Sequence, residues 1–89
     1  MHPALLIYTA AGKSKTRRMG LVTSRKLGIA AKRNRLKRRL REIFRLHKHL
    51  LKPGTDIIFM PKRNAASLNY EQLETIVLTA LKKAGVITE

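Results

Sequence analysis

A segment over residues 29–51, in which apolar side chains recur at intervals of three and four, constrains the fold of this chain more than any other feature. Leu36, Leu40, Ile43, His47 and Leu50 follow these intervals, with the imidazole of His47 the one polar ring in the stripe, and Ile29, seven residues before Leu36, extends the stripe backwards. An α-helix advances by about 100° per residue, which gathers a second set of side chains on the opposite side. All members of that second set are cations: Lys37, Arg38, Arg41, Arg45 and Lys48. The pattern predicts one amphipathic helix that packs by its apolar side and is stopped by Pro53-Gly54.

Shorter apolar runs on both sides of this helix predict strands. Residues 4–9 and 19–24 are β-prone and are separated by a polar, basic loop, a spacing that favours an antiparallel pair of strands. Residues 57–60 are all apolar, so residues 56–60 predict a buried, central strand. A loop is expected over residues 63–67.

Capping signals mark the start and the end of a second helix near the C-terminus. Asn69 can cap its N-terminus while Gln72 reaches back to the cap. Leu68 and Leu73 flank that cap as a hydrophobic staple, and Gly85 stands where a C-terminal cap belongs. The apolar stripe of this helix comprises Tyr70, Leu73, Ile76, Val77, Ala80, Leu81 and Ala84. The order strand, strand, helix, strand, helix predicts a small α+β fold, and residues 1–89 are expected to form a single domain.

The charge of the chain is strongly positive and unevenly distributed. It has 20 Lys and Arg residues against 5 Asp and Glu, a formal net charge of +15. Within residues 13–48 the cations are accompanied by a single acid, Glu42. A solvated helix surface is the ordinary explanation of a basic run, but surfaces that are merely kept soluble usually mix the two signs. The excess therefore favours a polyanionic partner, with nucleic acid the first candidate and an anionic membrane surface the second.

Several classes of protein are excluded by what the sequence lacks. It has no cysteine, which excludes disulfides, thiolate zinc sites and a cysteine nucleophile. The apolar run over residues 4–11 is too short to span a bilayer and no Lys or Arg precedes it, so we expect a cytoplasmic protein. The five acids are scattered, and His47 and His49, two positions apart, point to different sides of their helix, so neither a catalytic site nor a metal site is expected. Glu71 and Glu74 fall in the first turns of the second helix, where they favour its positive dipole end.

The basic segment also carries a recognisable motif. Its sequence is Arg33-Asn34-Arg35-x-Lys37-Arg38-x-x-Arg41-Glu42, and it is preceded by Gly20-Leu21-Val22-Thr23-Ser24-Arg25-Lys26-Leu27-Gly28. It is followed by Asp56-Ile57-Ile58 and by Ser67-Leu68-Asn69-Tyr70-Glu71. In these segments, and over nearly the whole chain from about Leu5 to Ala84, the sequence resembles the bacterial ribonuclease P protein family.

The resemblance implies a protein subunit of ribonuclease P, which binds the catalytic RNA and assists endonucleolytic removal of the 5′ leader from precursor tRNA. The RNA subunit would carry the chemistry, with Mg²⁺ bound through the RNA and no cofactor bound by the protein. The expected partners are the catalytic RNA and the leader of precursor tRNA, with no membrane and no DNA. The alternative is a generic ribosomal-type RNA-binding module that uses the same helix without a role in tRNA processing.

The resemblance also implies roles for individual residues. The motif helix of the family lies against the catalytic RNA, and the loop that precedes this helix should add phosphate contacts. Lys32 stands where the family tends to be apolar and should add a contact at the helix start, and Arg45 belongs to the cationic side of the helix. The expected RNA-binding residues are Ser24, Arg25, Lys26, Lys32, Arg33, Asn34, Arg35, Lys37, Arg38, Arg41 and Arg45.

Aromatic residues divide between the expected leader cleft and the core. Tyr8 matches an aromatic position on the sheet side of the cleft, where it would stack on a base, and a tyrosine half-buried in its strand is the alternative. Phe44, Phe59 and Tyr70 are expected to pack in the core or between helices. The family fold joins two parallel strands through the motif helix by a left-handed crossover. Family members begin with a basic segment and an aromatic helix that walls the cleft, and we expect this chain, which starts at the following strand, to lack that helix.

Overall fold

The computed structural model describes residues 4–12, 15–23 and 28–87, which form three strands and two α-helices. The elements are β1 (Leu5–Ala11), β2 (Arg18–Leu21), α1 (Ala30–His47), β3 (Thr55–Pro61) and α2 (Tyr70–Ala84). Two short 3₁₀ helices, Lys48–Leu50 and Arg63–Ser67, follow α1 and β3. This order confirms the predicted α+β arrangement. The predicted loop over residues 63–67 is wrong, because burial of Ala65 in the core draws this segment into a 3₁₀ helix.

β3 is the central strand of the sheet, whose order is β1-β3-β2. It pairs antiparallel with β1, which places Tyr8 opposite Ile58, and parallel with β2, which places Gly20 opposite Ile58. The predicted antiparallel pair of the first two strands is therefore wrong. β3 buries alternate side chains along its whole length and forms hydrogen bonds along both edges, so it takes the central position between two more exposed strands. The parallel pair joined through α1, which the family resemblance implies, is confirmed.

The apolar stripe of α1 packs on the sheet as predicted. Leu36, Leu40 and Ile43 are at most 2% exposed and share one core with Ile57 and Phe59 of β3. The burial of these residues fixes which side of the helix can meet solvent, because side chains three and four positions apart lie on one side. The cations between them are thereby directed away from the core.

The two ends of the α1 stripe depart from the prediction. Ile29 is 66% exposed, because it is the extended residue that precedes the first helical turn and lies beyond the packed part of the helix. His47 is half-buried, and its Nε2 lies 2.9 Å from Oε2 of Glu74 on α2. The α-helix ends at His47, and a 3₁₀ turn continues it to Leu50. The predicted helical span is therefore found, but its last turn is a 3₁₀ helix.

Both predicted caps of α2 are confirmed. The Asn69 side chain accepts a hydrogen bond from the backbone N–H of Gln72 at 2.8 Å, and the Gln72 side chain accepts one from the backbone N–H of Asn69 at 2.9 Å. Gly85 has a φ of 72°, the left-handed conformation that ends helices and that glycine adopts without steric cost. Leu73 and Val77 are buried as predicted, whereas Ala84 is exposed because it lies in the last turn, beyond the core.

Only one side of the sheet packs against the helices. On β3, Ile57 and Phe59 are at most 1% exposed, while Ile58 between them is 43% exposed. Tyr8 on β1 and Gly20 on β2, the two residues opposite Ile58, are also exposed. The prediction of a buried central strand is thus confirmed for its position and wrong for Ile58. We call the surface defined by Tyr8, Ile58 and Gly20 the open side of the sheet.

Candidate nucleic-acid interface

The outer surface of α1 carries a shallow concavity lined mostly by cations, which we call the outer concavity. Its lining residues are Asn34, Lys37, Arg38, Arg41, Glu42 and Arg45. Arg38, Arg41 and Arg45 are exposed and Lys37 is half-buried. The structure therefore brings five predicted RNA-binding residues together on successive turns of one helix. Planar guanidinium groups in such an arrangement suit phosphate oxygens, which accept two parallel hydrogen bonds from each group.

One carboxylate stands within this cationic surface. Arg45 Nε donates a hydrogen bond to Glu42 Oε2 at 3.1 Å, one turn earlier on the helix. That hydrogen bond lowers the pKa of the Glu42 carboxyl and so favours its ionised form. The separation of three residues is one that the sequence alone could have identified as an ion pair. Arg45 is consequently oriented by Glu42, while the other cations of the outer concavity have no ion-pair partner within the described ranges.

A second, smaller concavity lies between α1 and the 3₁₀ helix Arg63–Ser67. It is lined by Lys32, Arg35, Leu36, Arg39 and Ala66. Lys32 and Arg35 are exposed, whereas Arg39 is half-buried and donates from Nη1 to the carbonyl oxygen of Leu68 at 2.9 Å. The role of Arg39 is therefore to fasten α1 to the segment that leads into α2. Lys32 and Arg35 place predicted RNA-binding residues on a different flank of α1 from the outer concavity.

The remaining predicted residues have different surroundings. Arg33 is half-buried and lies close to the angle of the apolar stripe on α1, so it is, like Lys37, less accessible than Arg35, Arg38 and Arg41. Ser24, Arg25 and Lys26 lie outside the described residues. Tyr8 is 45% exposed on the open side of the sheet, which favours a surface role over a half-buried one.

Basic and acidic side chains meet at one end of the open side of the sheet. Arg18 of β2 donates from Nε to Asp56 Oδ1 at 3.0 Å and from Nη2 to Asp56 Oδ2 at 2.9 Å. These hydrogen bonds lower the pKa of the Asp56 carboxyl. Arg18 was not predicted from the sequence, because its partner is 38 positions away and no spacing rule connects them.

Residues expected in the core are found there. Phe59 is fully buried, and Phe44 and Tyr70 pack against the core from its margin. The Tyr70 hydroxyl is buried without a hydrogen-bond partner among the described residues, and this burial raises the pKa of Tyr70. The pairing of Glu74 with His47 shows that this acid also joins α2 to α1, besides its predicted place near the start of α2.

The described residues contain no group of three or more His, Cys, Asp and Glu side chains that could hold a metal ion. Within the same ranges, none of the helices combines the length and the apolar composition needed to cross a membrane.

Sequence relatives with this pattern are found among curated proteins. A protein from Finegoldia magna named ribonuclease P protein component is 40% identical over 82 residues, which are 92% of this chain and 70% of the relative. A protein of the same name from Roseiflexus is 39% identical over 84 residues, covering 93% of this chain and 69% of the relative.

The fold has matching solved structures. The ribonuclease P protein of Staphylococcus aureus superposes with a TM-score of 0.87 at 31% identity, covering 99% of this chain and 81% of that one. The ribonuclease P protein of Thermotoga maritima superposes with a TM-score of 0.83 at 29% identity, covering 93% and 79%. The family model described as ribonuclease P matches residues 1–85. The chain therefore belongs to the bacterial ribonuclease P protein family and is a protein component of that enzyme.

Proposed function

We propose that this chain binds the catalytic RNA of ribonuclease P through α1 and presents the open side of its sheet to the 5′ leader of precursor tRNA. The observation that carries the first part is the outer concavity, in which Arg38, Arg41 and their neighbours converge on the side of α1 that faces away from the core. Lys32 and Arg35 extend the proposed contact to the second concavity. Ser24, Arg25 and Lys26 remain predicted phosphate contacts from the family resemblance alone.

The proposed role of the protein is electrostatic and positional. Two RNA molecules, the catalytic RNA and the precursor tRNA, repel each other through their phosphates. A protein with a formal net charge of +15 lowers that repulsion and, by occupying phosphates, releases condensed counterions. We further propose that the RNA supplies the groups that cleave the leader and binds the Mg²⁺ needed for the reaction.

Leader binding is proposed for the open side of the sheet because single-stranded RNA needs two kinds of contact, one to its bases and one to its backbone. An exposed aromatic ring stacks on bases without regard to sequence, and Tyr8 offers one at 45% exposure. A cation near the ring binds the backbone, and Arg18 lies on the same side of the sheet, two positions along β2 from the row that contains Tyr8.

A binding assay that separates specific from general charge effects tests the first part. Arg38→Ala/Arg41→Ala removes two cations from the outer concavity, and Lys82→Ala/Lys83→Ala removes two exposed cations from the last turn of α2. The two double variants have the same net charge. We expect the first to weaken binding of the catalytic RNA and to reduce the salt slope by about two, roughly one for each phosphate that is no longer bound. Equal effects of the two variants would contradict a binding surface on α1.

Reconstituted cleavage tests the function itself. Catalytic RNA and labelled precursor tRNA are combined at low Mg²⁺ with and without the chain, and faster leader removal is expected with it. Selectivity is measured in parallel as binding of ribonuclease P RNA against ribosomal RNA at moderate salt, where non-specific phosphate binding falls steeply. No stimulation together with no selectivity would favour the alternative of a generic RNA-binding module.

A further inference from the structure

We propose that Gly20 forms a recess on the open side of the sheet that receives one base of the leader, with Arg18 beside it binding the adjoining phosphate. This inference rests on the proposed function, in which the open side of the sheet meets the leader. In this site Gly20 acts sterically, through the side chain that it lacks, and Arg18 is the cation that completes a site for one nucleotide.

The strand register places Gly20 at the end of a row that crosses the sheet. Gly20 lies opposite Ile58 of β3, and Ile58 lies opposite Tyr8 of β1. Neighbouring strands are about 4.8 Å apart, so the row spans roughly 10 Å, the scale of a single nucleotide. Arg18 of β2 lies two positions before Gly20, and Val22, the residue after β2, lies two positions beyond it and still donates its backbone N–H to the carbonyl oxygen of Phe59 on β3. Because side chains alternate along extended backbone, Arg18 and Val22 belong to the same side as Gly20.

Side chains around Gly20 project while Gly20 does not. The Arg18 side chain is 65% exposed, Val22 is 51% exposed and Ile58 is 43% exposed. The surface is therefore lower over Gly20 than over the neighbours on three sides of it. A planar base entering this recess would contact the apolar side chain of Ile58, with Tyr8 at the far end of the row.

Nothing in the described part of the chain requires a glycine at this position. A Cβ added to Gly20 would meet only Ile58 Cγ1, at 3.9 Å, which is ordinary van der Waals contact. Gly20 is not among the residues with positive φ, unlike Gly54 and Gly85. Glycine in a strand also costs roughly 0.5–1 kcal/mol relative to alanine. A residue that the fold does not need, and that weakens its strand, is explained by the space that it leaves.

The Arg18–Asp56 pair prepares a phosphate contact at the edge of the recess. A guanidinium group has five N–H donors, and the two hydrogen bonds to Asp56 use Nε and one donor of Nη2. Among the residues that the structure describes, no other acceptor binds both donors of Nη1 or the second donor of Nη2, which remain for a phosphate. Because Asp56 holds the guanidinium plane in place, less side-chain entropy is lost when a phosphate binds.

Substitutions of increasing size at Gly20 test the recess. The holoenzyme is assembled from the catalytic RNA and full-length Gly20→Ala or Gly20→Val, and its affinity is measured for precursor tRNA and for the same tRNA without a leader. The leader-dependent gain is the ratio of the affinity for precursor tRNA to the affinity for leaderless tRNA. Stacking is worth about 1–3 kcal/mol per base, so we expect Gly20→Val to reduce this gain by roughly fivefold or more. Gly20→Ala should have a smaller effect, and affinity for leaderless tRNA should not change.

Two further variants make the test specific. Ala10→Val adds two carbon atoms, against three in Gly20→Val, at an exposed position on β1, two strands across from Gly20 on the same side of the sheet. It should change the leader-dependent gain by less than about twofold, within ordinary surface effects. Arg18→Gln/Asp56→Asn removes the proposed phosphate contact without changing the net charge, and should lower the leader-dependent gain. Thermal melts of all variants check that each is folded.

The outcomes separate the two proposals. If the wild-type chain gives no leader-dependent gain, the proposed function of the open side fails. If the wild-type chain gives this gain, and folded Gly20→Val retains all of it, the recess is refuted while the proposed function stands. If Ala10→Val reduces the gain as much as Gly20→Val does, the effect is general crowding and the recess is again refuted.

Discussion

Replacement of Leu40 by alanine tests whether the apolar side of α1 carries the stability of the fold. Leu40 is 0% exposed and belongs to the core that α1 shares with β3 and α2. The change deletes three carbon atoms, which loses about 2.4 kcal/mol at 0.8 kcal/mol per buried carbon. The surrounding side chains collapse only partly into the space left behind, which can raise the cost to about 5 kcal/mol.

This loss is large beside the stability of such a small domain. A chain of 89 residues has a free energy of unfolding of roughly 4–13 kcal/mol at the usual contribution per residue. In a chain of this size each kcal/mol lost lowers the melting temperature by roughly 4–8 °C, so Leu40→Ala should melt about 10 °C or more below wild type. Urea unfolding followed by circular dichroism at fixed salt measures the difference in free energy.

Arg38→Ala is the matched control on the same helix. Arg38 is exposed in the outer concavity, and alanine is a good helix former, so its effect on unfolding should stay within about 0.5 kcal/mol. An unchanged urea midpoint in Leu40→Ala, or an equal fall in both variants, would refute the assignment of the two sides of α1. At a temperature where both variants are folded, Arg38→Ala should bind the catalytic RNA more weakly than Leu40→Ala does.

Three further changes have expected outcomes. Asn69→Ala removes the cap hydrogen bond of 2.8 Å and should lower the free energy of unfolding, measured by urea titration, by about 1 kcal/mol. Glu42→Gln removes the acid that holds Arg45 and should strengthen catalytic-RNA binding in a titration. Hydrogen bonds from Arg18 lower the pKa of Asp56, so the stability from this pair is present above the unfolded-state pKa and is lost as pH falls through the lower folded-state pKa. Arg18→Gln should therefore lose less stability than wild type when melts are compared between neutral and acid pH.

Each of these expectations has an outcome that contradicts it. A melt of Asn69→Ala identical to wild type would mean that water replaces the cap without cost. Weaker RNA binding by Glu42→Gln would mean that orienting Arg45 outweighs the negative charge. The same acid sensitivity in wild type and Arg18→Gln would show that the Asp56 pKa is set by other groups.

The helices could be predicted from the sequence because their determinants are local. Spacing of apolar residues located α1, and the cap residues Asn69, Gln72 and Gly85 located α2. The order of the strands could not be predicted in the same way, because pairing depends on contacts between residues far apart in the chain. β1 and β2 are close in sequence, yet each pairs with β3, which follows α1 in the chain.

The sequence predicted which residues belong to the candidate site better than it predicted how the fold arranges them. Periodicity placed Arg38, Arg41 and Arg45 on one side of α1, and the structure confirms their exposure. Periodicity alone does not distinguish a cation that is free to bind a partner from one that is already engaged. Arg39 belongs to the same basic run, but it binds a carbonyl oxygen 29 positions away. Arg18, outside that run, is oriented by Asp56 through the fold alone.

The distribution of carboxylates explains how the basic helix can fold and still bind RNA. Within the described part of the chain, Arg45 is paired with Glu42, whereas Lys37, Arg38 and Arg41 form no ion pair. Like charges three and four positions apart destabilise a helix, so these side chains oppose folding of α1, and the buried side of the helix offsets that cost. RNA phosphates remove the repulsion on binding, and a ligand that binds only the folded state stabilises it by linkage. The same cations therefore lower the stability of the free protein and raise its affinity for RNA, so neutralising them should trade one property for the other.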